Sequence, residues 1–406
     1  MGVILPHSHT HQLNMATTTD TLKPPVTSVG VIGWLHKNLF SSWLNSILTI
    51  VALWLIYNLA VGLVGFVLSA NWNVVVANLR LFMIGRYTLE EAWRVEVSAA
   101  VVAFLLGASW RLWRGIMQQV GIAIGALFVV LALLPFDMNA RLYLAGIVAL
   151  IAIGFGCALV VRSRRLFLAL WVLSPFVIAV LLAGGVAGLP AVAPDLWGGL
   201  LLTLALAVVG VGLSFPLGVL LAVGRQSDYP VIKWFSILYI EIVRGVPLIT
   251  VIFAAQIILP IFLPEGMSID RVVRAMVAFV LFTAAYLAEI VRGGLQAVGR
   301  GQGEAAKAIG LNTFQILWLI ILPQALRSVI PAIVGQFISL FKDTSLVAIA
   351  GLLDLAGIAN SVISQKEFLG LQNEVLVFIA AIYFVGCYAM TYASRRLEKK
   401  LGVGER

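Results

Sequence analysis

An all-α protein that crosses a membrane many times is what this sequence predicts, on three observations. The 406 residues are 61% hydrophobic and only 11% charged, against roughly 25% charged in soluble domains. Mean hydropathy is +1.04. The apolar residues gather into about ten stretches, most near the ~20 residues that a helix needs to cross the hydrocarbon core. The formal charge of +9 then reads as topology rather than nucleic-acid binding, because Lys and Arg stand at the ends of apolar runs.

Taken in order, residues 1–40 form a polar tail without a cleavable-signal pattern. Its His7, His9 and His11 tract is expected to be incidental rather than a metal site. Leu44–Leu68 is uncharged and spans. Residues 70–96 are irregular, and 73–84 is too short to cross, so it is expected to lie along the interface. Val95–Trp110, with Glu96 near its start, is the shortest span. Ile116–Leu134, Leu142–Val161 and Leu166–Gly188 follow. A second block comprises Trp197–Val223, Ile232–Leu263, Val272–Leu295, Ile316–Phe341 and Val375–Ser394. Cys157 and Cys387 lie inside apolar runs and read as packing residues, not a disulfide.

Basic residues orient the chain. Arg111 with Arg114, Arg162 with Arg164 and Arg165, and Arg225 with Lys233 fall on one side when spans are counted between them. So do Arg292, Arg300 and Lys307, and the closing Arg395, Arg396, Lys399 and Lys400. The positive-inside rule makes that side, and both termini, cytoplasmic. The organisation expected is a tail (1–40), accessory helices (41–190), a core (191–398) with a cytoplasmic loop at 296–313, and a closing tail (399–406).

Charge inside a membrane is costly and raises a functional hypothesis by default. The sequence Glu-Ile-Val-Arg-Gly occurs at 241–245 and again at 289–293. Glu241 with Arg244, and Glu289 with Arg292, stand three apart on one helical face and are expected to pair. Pro247 or Gly294 loosens the helix just beyond each copy. Two readings stay open. The pairs fix helix register, or Glu241, Arg244, Pro247, Glu289, Arg292 and Gly293 shape a gate. Asp343, Thr344 and Ser345, after Lys342, form a third polar spot in an elbow too short to span.

Residues 304–323 read EAAKAIGLNTFQILWLIILP. Glu304, Ala305, Ala306, Lys307 and Ala308 favour helix, and their small side chains let another surface approach. Gly310 suits the left-handed residue that ends a short helix before Leu311. Pro323 kinks or restarts the next helix. A short exposed helix held between two spans suits a lever that docks on a partner. No GxxxxGK[ST] occurs, and every histidine lies in the first 36 residues. No catalytic set is visible, so the chain is expected not to be an enzyme.

The spacing from Glu304-Ala305-Ala306 through Gly310 to Ile320-x-Leu322-Pro323 resembles the coupling loop of bacterial ABC importer membrane subunits. From Trp197 to Glu398, the segments WGGLLLTL, YIEIVRGVPLI, AYLAEIVRGGLQAV, LPQALRSVIPAIVGQFISLFKDTSLV and RRLEK resemble polar amino-acid importers of the histidine/glutamine type. KNLFSSWLNSILTI, ANW and the extra helices extend this to the longer M-type permease of general L-amino-acid importers. Gly299 and Gly303 depart from the family, which usually has proline and a larger residue there. The resemblance implies a type I transmembrane domain that moves L-amino acids across a bacterial inner membrane. It implies a sister permease, two cytoplasmic ATPases carrying ATP and Mg, and a periplasmic binding protein, with no cofactor on this chain. Glu304, Ala305, Ala306, Lys307, Ala308, Gly310 and Leu311 would couple to the ATPase. A secondary transporter would show a repeat of whole helical bundles, whereas the echo here is five residues. An intramembrane enzyme, or an ABC permease for sugars, metals or methionine, is the other alternative.

Overall fold

The computed structural model describes residues 30–402 except 114, 134–137 and 187; the His7, His9 and His11 tract lies outside them. The described residues hold no β-strand, only isolated bridges of Gly85 with Trp197 and Gly199 with Asp354. The chain divides into two units, Met1–Ala70 and Asn71–Arg406.

In the first unit α1 (Gly30–Asn38) leads to α2 (Trp43–Ser69). Ser42 starts α2 by accepting the Asn45 N–H at 3.2 Å, satisfying one donor that a helix start leaves free. At 27 residues, α2 rises about 40 Å. None of its side chains is buried within the unit and it is apolar all round, the pattern of a lipid-facing span.

The second unit opens with α3 (Asn73–Ala77) and α4 (Leu79–Ile84). These were expected to lie along the interface. Val74, Val75 and Phe82 are buried against α16 (Leu355–Ile363) and α17 (Gln372–Leu401). Apolar side chains on such short helices found a protein core to enter, which a hydropathy pattern cannot show. An accessory bundle follows, made of α5 (Trp93–Leu112), α6 (Ile116–Leu133), α7 (Met138–Val160) and α8 (Arg164–Ala183). A Cβ on Gly107 would lie 1.9 Å from the Ile151 carbonyl oxygen, and one on Gly154 would lie 2.0 Å from that of Phe104. Small residues there let the α5 and α7 backbones touch, the usual basis of packing between membrane helices. At the start of α5, Arg94 is fully buried, pairs with Glu91 at 2.7 Å and donates to the Pro190 carbonyl at 2.8 Å.

The remaining helices are α9 (Gly199–Arg225), α10 (Pro230–Arg244), α11 (Leu248–Phe253), α12 (Arg271–Ala297), α13 (Arg300–Ala308), α14 (Thr313–Gln315) and α15 (Leu322–Asp343). Their main core gathers Leu202 and Leu206 of α9, Ile252 of α11, Phe279 of α12 and Leu340 of α15. Among the described residues eight helices are long and apolar enough to span. Of the two remaining expected spans, 116–133 is the 18-residue α6. Ile232–Leu263, the other, is bent: α10 and the helical segment after it meet at 105°. Pro247 lacks an N–H and starts α11 from an extended conformation, so the helix stops at Arg244. One end of this assembly carries α13, and the other carries α16, where Gly199 donates to Leu353 and Leu355 donates to Thr203.

Candidate functional site

At the α13 end five charged side chains from three helices meet. Arg225 closes α9, Glu241 and Arg244 lie in the last turn of α10, and Glu289 and Arg292 lie in α12. Glu289 is the hub. It accepts from Arg292 Nε at 3.0 Å and Nη2 at 2.8 Å, and from Arg225 Nη1 at 2.8 Å, with Arg244 Nη1 at 3.4 Å. Arg225 Nη1 also reaches Glu241 at 2.9 Å. Arg244 lies 5.5 Å from the Tyr286 ring centre, and Arg292 donates onward to Gln296 at 3.0 Å.

Thus Glu289 and Arg292 pair as expected, but Glu241 and Arg244 do not pair with each other. Each turns across to a neighbouring helix because Arg225 brings a cation within reach of both carboxylates. The sequence marked Arg225 only as a topology signal. The clue was arithmetic: a third cation ending the preceding helix beside two carboxylates. Exposure differs sharply, with the Glu289 side chain 16% exposed and Glu241 55%. Gly293 is exposed beside the cluster, and Pro247 sits at the bend.

The structure separates the other candidates from this cluster. Asp343, Thr344 and Ser345 lie at the opposite end, where α15 gives way to a short 3-10 turn (Thr344–Ala348). The Thr344 and Ser345 hydroxyls donate to the Phe341 and Lys342 carbonyls at 2.7 and 2.8 Å, so both are committed to their own helix end.

Two residues, Val298 and Gly299, join α12 to α13. Ala306 is buried, whereas Glu304, Ala305, Lys307 and Ala308 are exposed. Gly310 has φ +85°. Its N–H bonds to the Lys307 carbonyl at 3.0 Å, and the Leu311 N–H bonds to Ala306 at 3.2 Å. That bond pair is the Schellman closure, which satisfies the last carbonyls of a helix and favours glycine at the left-handed position. Asn312 and Gln315 then form a reciprocal capping box that starts α14. A π-helical turn (Ile316–Ile321) precedes Pro323, opening the helix where proline would crowd the preceding turn. Beside the joint lies an open groove of about 410 Å³, bounded by Val298, Gly299, Gln302, Gln324 and Ser328.

A second polar cluster, unmarked in the sequence, sits toward the α16 end. Gln256 lies in a π-helical turn (Ala254–Ile258), and its Nε2 donates to the Arg271 carbonyl at 2.7 Å. Arg274 Nη1 donates to the Gln256 carbonyl at 2.7 Å, and Arg271 Nη2 donates to Ala350 at 2.7 Å. Two buried atoms here, Gln256 Oε1 and Arg274 Nε, have no hydrogen-bond partner among the described residues. One is an acceptor and the other a cationic donor. Near α16, Asp354 is fully buried, has no salt bridge among the described residues, and caps that helix through the Ala356 and Gly357 N–H groups at 3.2 and 2.9 Å. Burial pushes its carboxyl up to about 6.

Residues 214–403 match the family described as binding-protein-dependent transport system inner membrane component. Over 373 residues the chain is 40% identical to the inner membrane amino-acid ABC transporter permease protein YhdY of Escherichia coli (strain K12), covering 91% of this chain and 93% of that protein. It is 38% identical to the glutamate/glutamine/aspartate/asparagine transport system permease protein BztC of Rhodobacter capsulatus, covering 94% of this chain and 97% of that one. Among solved structures, an amino acid ABC transporter with histidines is 32% identical, covers 50% of this chain and 92% of that chain, and has a TM-score of 0.45.

Proposed function

The chain belongs to the binding-protein-dependent inner-membrane transport components, among the amino-acid ABC transporter permeases, and on that premise we propose how its two ends act. The protein is a multi-pass inner-membrane permease of an amino-acid importer with a type I transmembrane domain. In our reading residues 191–398 form the translocation core and 41–190 supply accessory helices. The α13 end and both termini face the cytoplasm. ATP is hydrolysed, with Mg, on two partner ATPase subunits, a sister permease completes the pathway, and a periplasmic binding protein delivers substrate at the α16 end.

The observation that carries the reading is α13 itself. It is closed by its own backbone bonds, rests on one side through Ala306, and leaves Glu304, Ala305, Lys307 and Ala308 bare for a partner groove. Displacement of α13 passes through Val298–Gly299 to α12, whose last turns hold Glu289 and Arg292. Shifting Glu289 loosens its grip on Arg225 and Arg244, and α10 then moves about the bend at Pro247. No proton or bond changes hands; the chemistry is the exchange of one set of charge-assisted hydrogen bonds for another.

Amino-acid cargo suits the second cluster. A zwitterion offers a carboxylate to the Arg274 Nε–H and an ammonium to Gln256 Oε1, the two buried atoms without partners. Each would gain the hydrogen bond whose absence is costly in a dry site.

The test is uptake of radiolabelled amino acids by the copurified complex in proteoliposomes. Uptake requires ATP on the side that holds the ATPase subunits and no ion gradient. Gly310→Trp cannot adopt the left-handed turn without strain and is expected to abolish uptake while ATP hydrolysis continues. Normal uptake by that variant removes the coupling role, and gradient-driven uptake without ATP removes the whole reading.

A further inference from the structure

We propose that the α13-end part of α17 binds an anionic phospholipid, with its phosphate on Arg395 and Lys399 and an acyl chain along Phe384 and Tyr388. A groove of about 250 Å³ is lined by Phe384, Cys387, Tyr388, Thr391, Tyr392 and Arg395. Steps of three and four residues put these side chains on one face of the helix. Phe384 and Tyr388 are 67% and 61% exposed, and their rings stack at 5.9 Å with 21° between planes. From Phe384 to Arg395 the helix rises about 16 Å, close to half of the ~30 Å hydrocarbon core. The aromatic stripe is therefore one leaflet deep, and the arginine stands where lipid phosphates lie. That leaflet is the cytoplasmic one, a placement that rests on the orientation proposed above.

The neighbouring polar groups are already committed to the protein. Tyr392 Oη donates to Gln119 of α6 at 2.8 Å, and Arg396 Nη2 donates to Tyr392 Oη at 3.1 Å, with its guanidinium 5.3 Å from that ring centre. Glu398 accepts from the Ser394 hydroxyl at 2.8 Å. Arg395 has no ion pair or hydrogen bond among the described residues, although it lines the groove. Over the last two turns Arg395, Arg396, Lys399 and Lys400 face a single carboxylate, Glu398. Such a juxtamembrane excess of cations attracts anionic headgroups, and the groove supplies what a diffuse surface charge lacks, a seat for one chain. An uncharged or zwitterionic lipid satisfies the stripe but not the cations.

The experiment uses the copurified complex in nanodiscs of phosphatidylcholine alone or with about 20% phosphatidylglycerol, with bound lipid counted by native mass spectrometry. The wild-type complex is expected to retain phosphatidylglycerol in preference to phosphatidylcholine. Arg395→Gln with Lys399→Gln is expected to weaken that retention by roughly fivefold per charge removed, with complex yield unchanged. Equal retention of the two lipids, or unchanged retention in the double variant, overturns the proposal. So does efficient cross-linking of Tyr388→Cys to another protein subunit, which would mean that protein covers the stripe. A reporter fusion after Arg396 tests the orientation separately. An outside location there overturns the leaflet assignment, whatever the lipid result.

Discussion

The two copies of Glu-Ile-Val-Arg-Gly are identical in sequence and opposite in structure. At 241–245 the helix ends, and the chain turns by 105° before α11. At 289–293 the helix runs on for four more residues to Ala297. The first copy sends its charges outward to other helices, whereas the second gathers charges onto Glu289. Five shared residues therefore determine what can be bonded, and the surroundings determine what is. Pro247 breaks the first copy. In the second, Gly294 lies against α15, where a Cβ would come 2.6 Å from the Ala325 carbonyl oxygen.

The largest break in this comparison is Glu289→Gln. It leaves Arg225, Arg244 and Arg292 around a neutral amide in a half-buried site, an expected loss of about 1.5–3 kcal/mol. Thermal inactivation and yield of the assembled complex measure it. Glu241→Gln, on an exposed side chain, is expected to cost less than about 1 kcal/mol. Replacing Glu289 and Arg292 together by Met should not fully restore assembly, since Arg244 loses its carboxylate and Arg225 keeps only the exposed Glu241. Full restoration would show that the two pairs act separately after all.

Asp354 sharpens the contrast, as a buried carboxyl with no cation where Glu289 has three. Burial raises it to about 6 from the usual 3.8. Its neutral form is favoured in the fold, so the stability it contributes is full below about 3.8 and is lost as pH rises through 6. Asp354→Asn keeps a good cap and should raise the melting temperature at pH 7.5 but not at pH 4. Each pH unit between those two values is worth about 1.4 kcal/mol, so the gain is at most about 3 kcal/mol. A melting temperature that falls at pH 7.5 would show that the ionised cap matters more than its burial.

Smaller effects separate the glycines. Gly294→Ala meets backbone and is expected to cost about 1–3 kcal/mol. Gly245→Ala meets only its own helix's carbonyls, at 3.2 Å and beyond, and should cost less. Gly293→Ala has open space and should gain a few tenths to about 1 kcal/mol from helix propensity. Melting curves of the three variants in the same detergent check the order.

Much of this was legible in the sequence. Hydropathy located the spans because lipid demands long apolar runs, and Gly310 announced its turn because few residues tolerate that backbone. The bend at Pro247 was half legible: the proline was visible, but the apolar run continued past it and masked the break. What could not be read were contacts between distant segments. Arg225 becomes part of a cluster only when α9 and α12 lie side by side. Gln256 and Arg274 matter only because a π-helical turn and the start of α12 face each other. Short-range pattern shows which groups exist, and packing decides which of them meet.

The Schellman closure at Gly310 has a consequence for the docking role proposed for α13. Because Lys307 and Ala306 carry the terminating bonds themselves, α13 has its shape before any partner arrives. Binding then orders little of the backbone, so conformational entropy opposes it less than it would for a segment that folds on contact. A preformed helix can be recognised through a small, weakly sticky surface and released again in every cycle, without the chain having to be refolded each time.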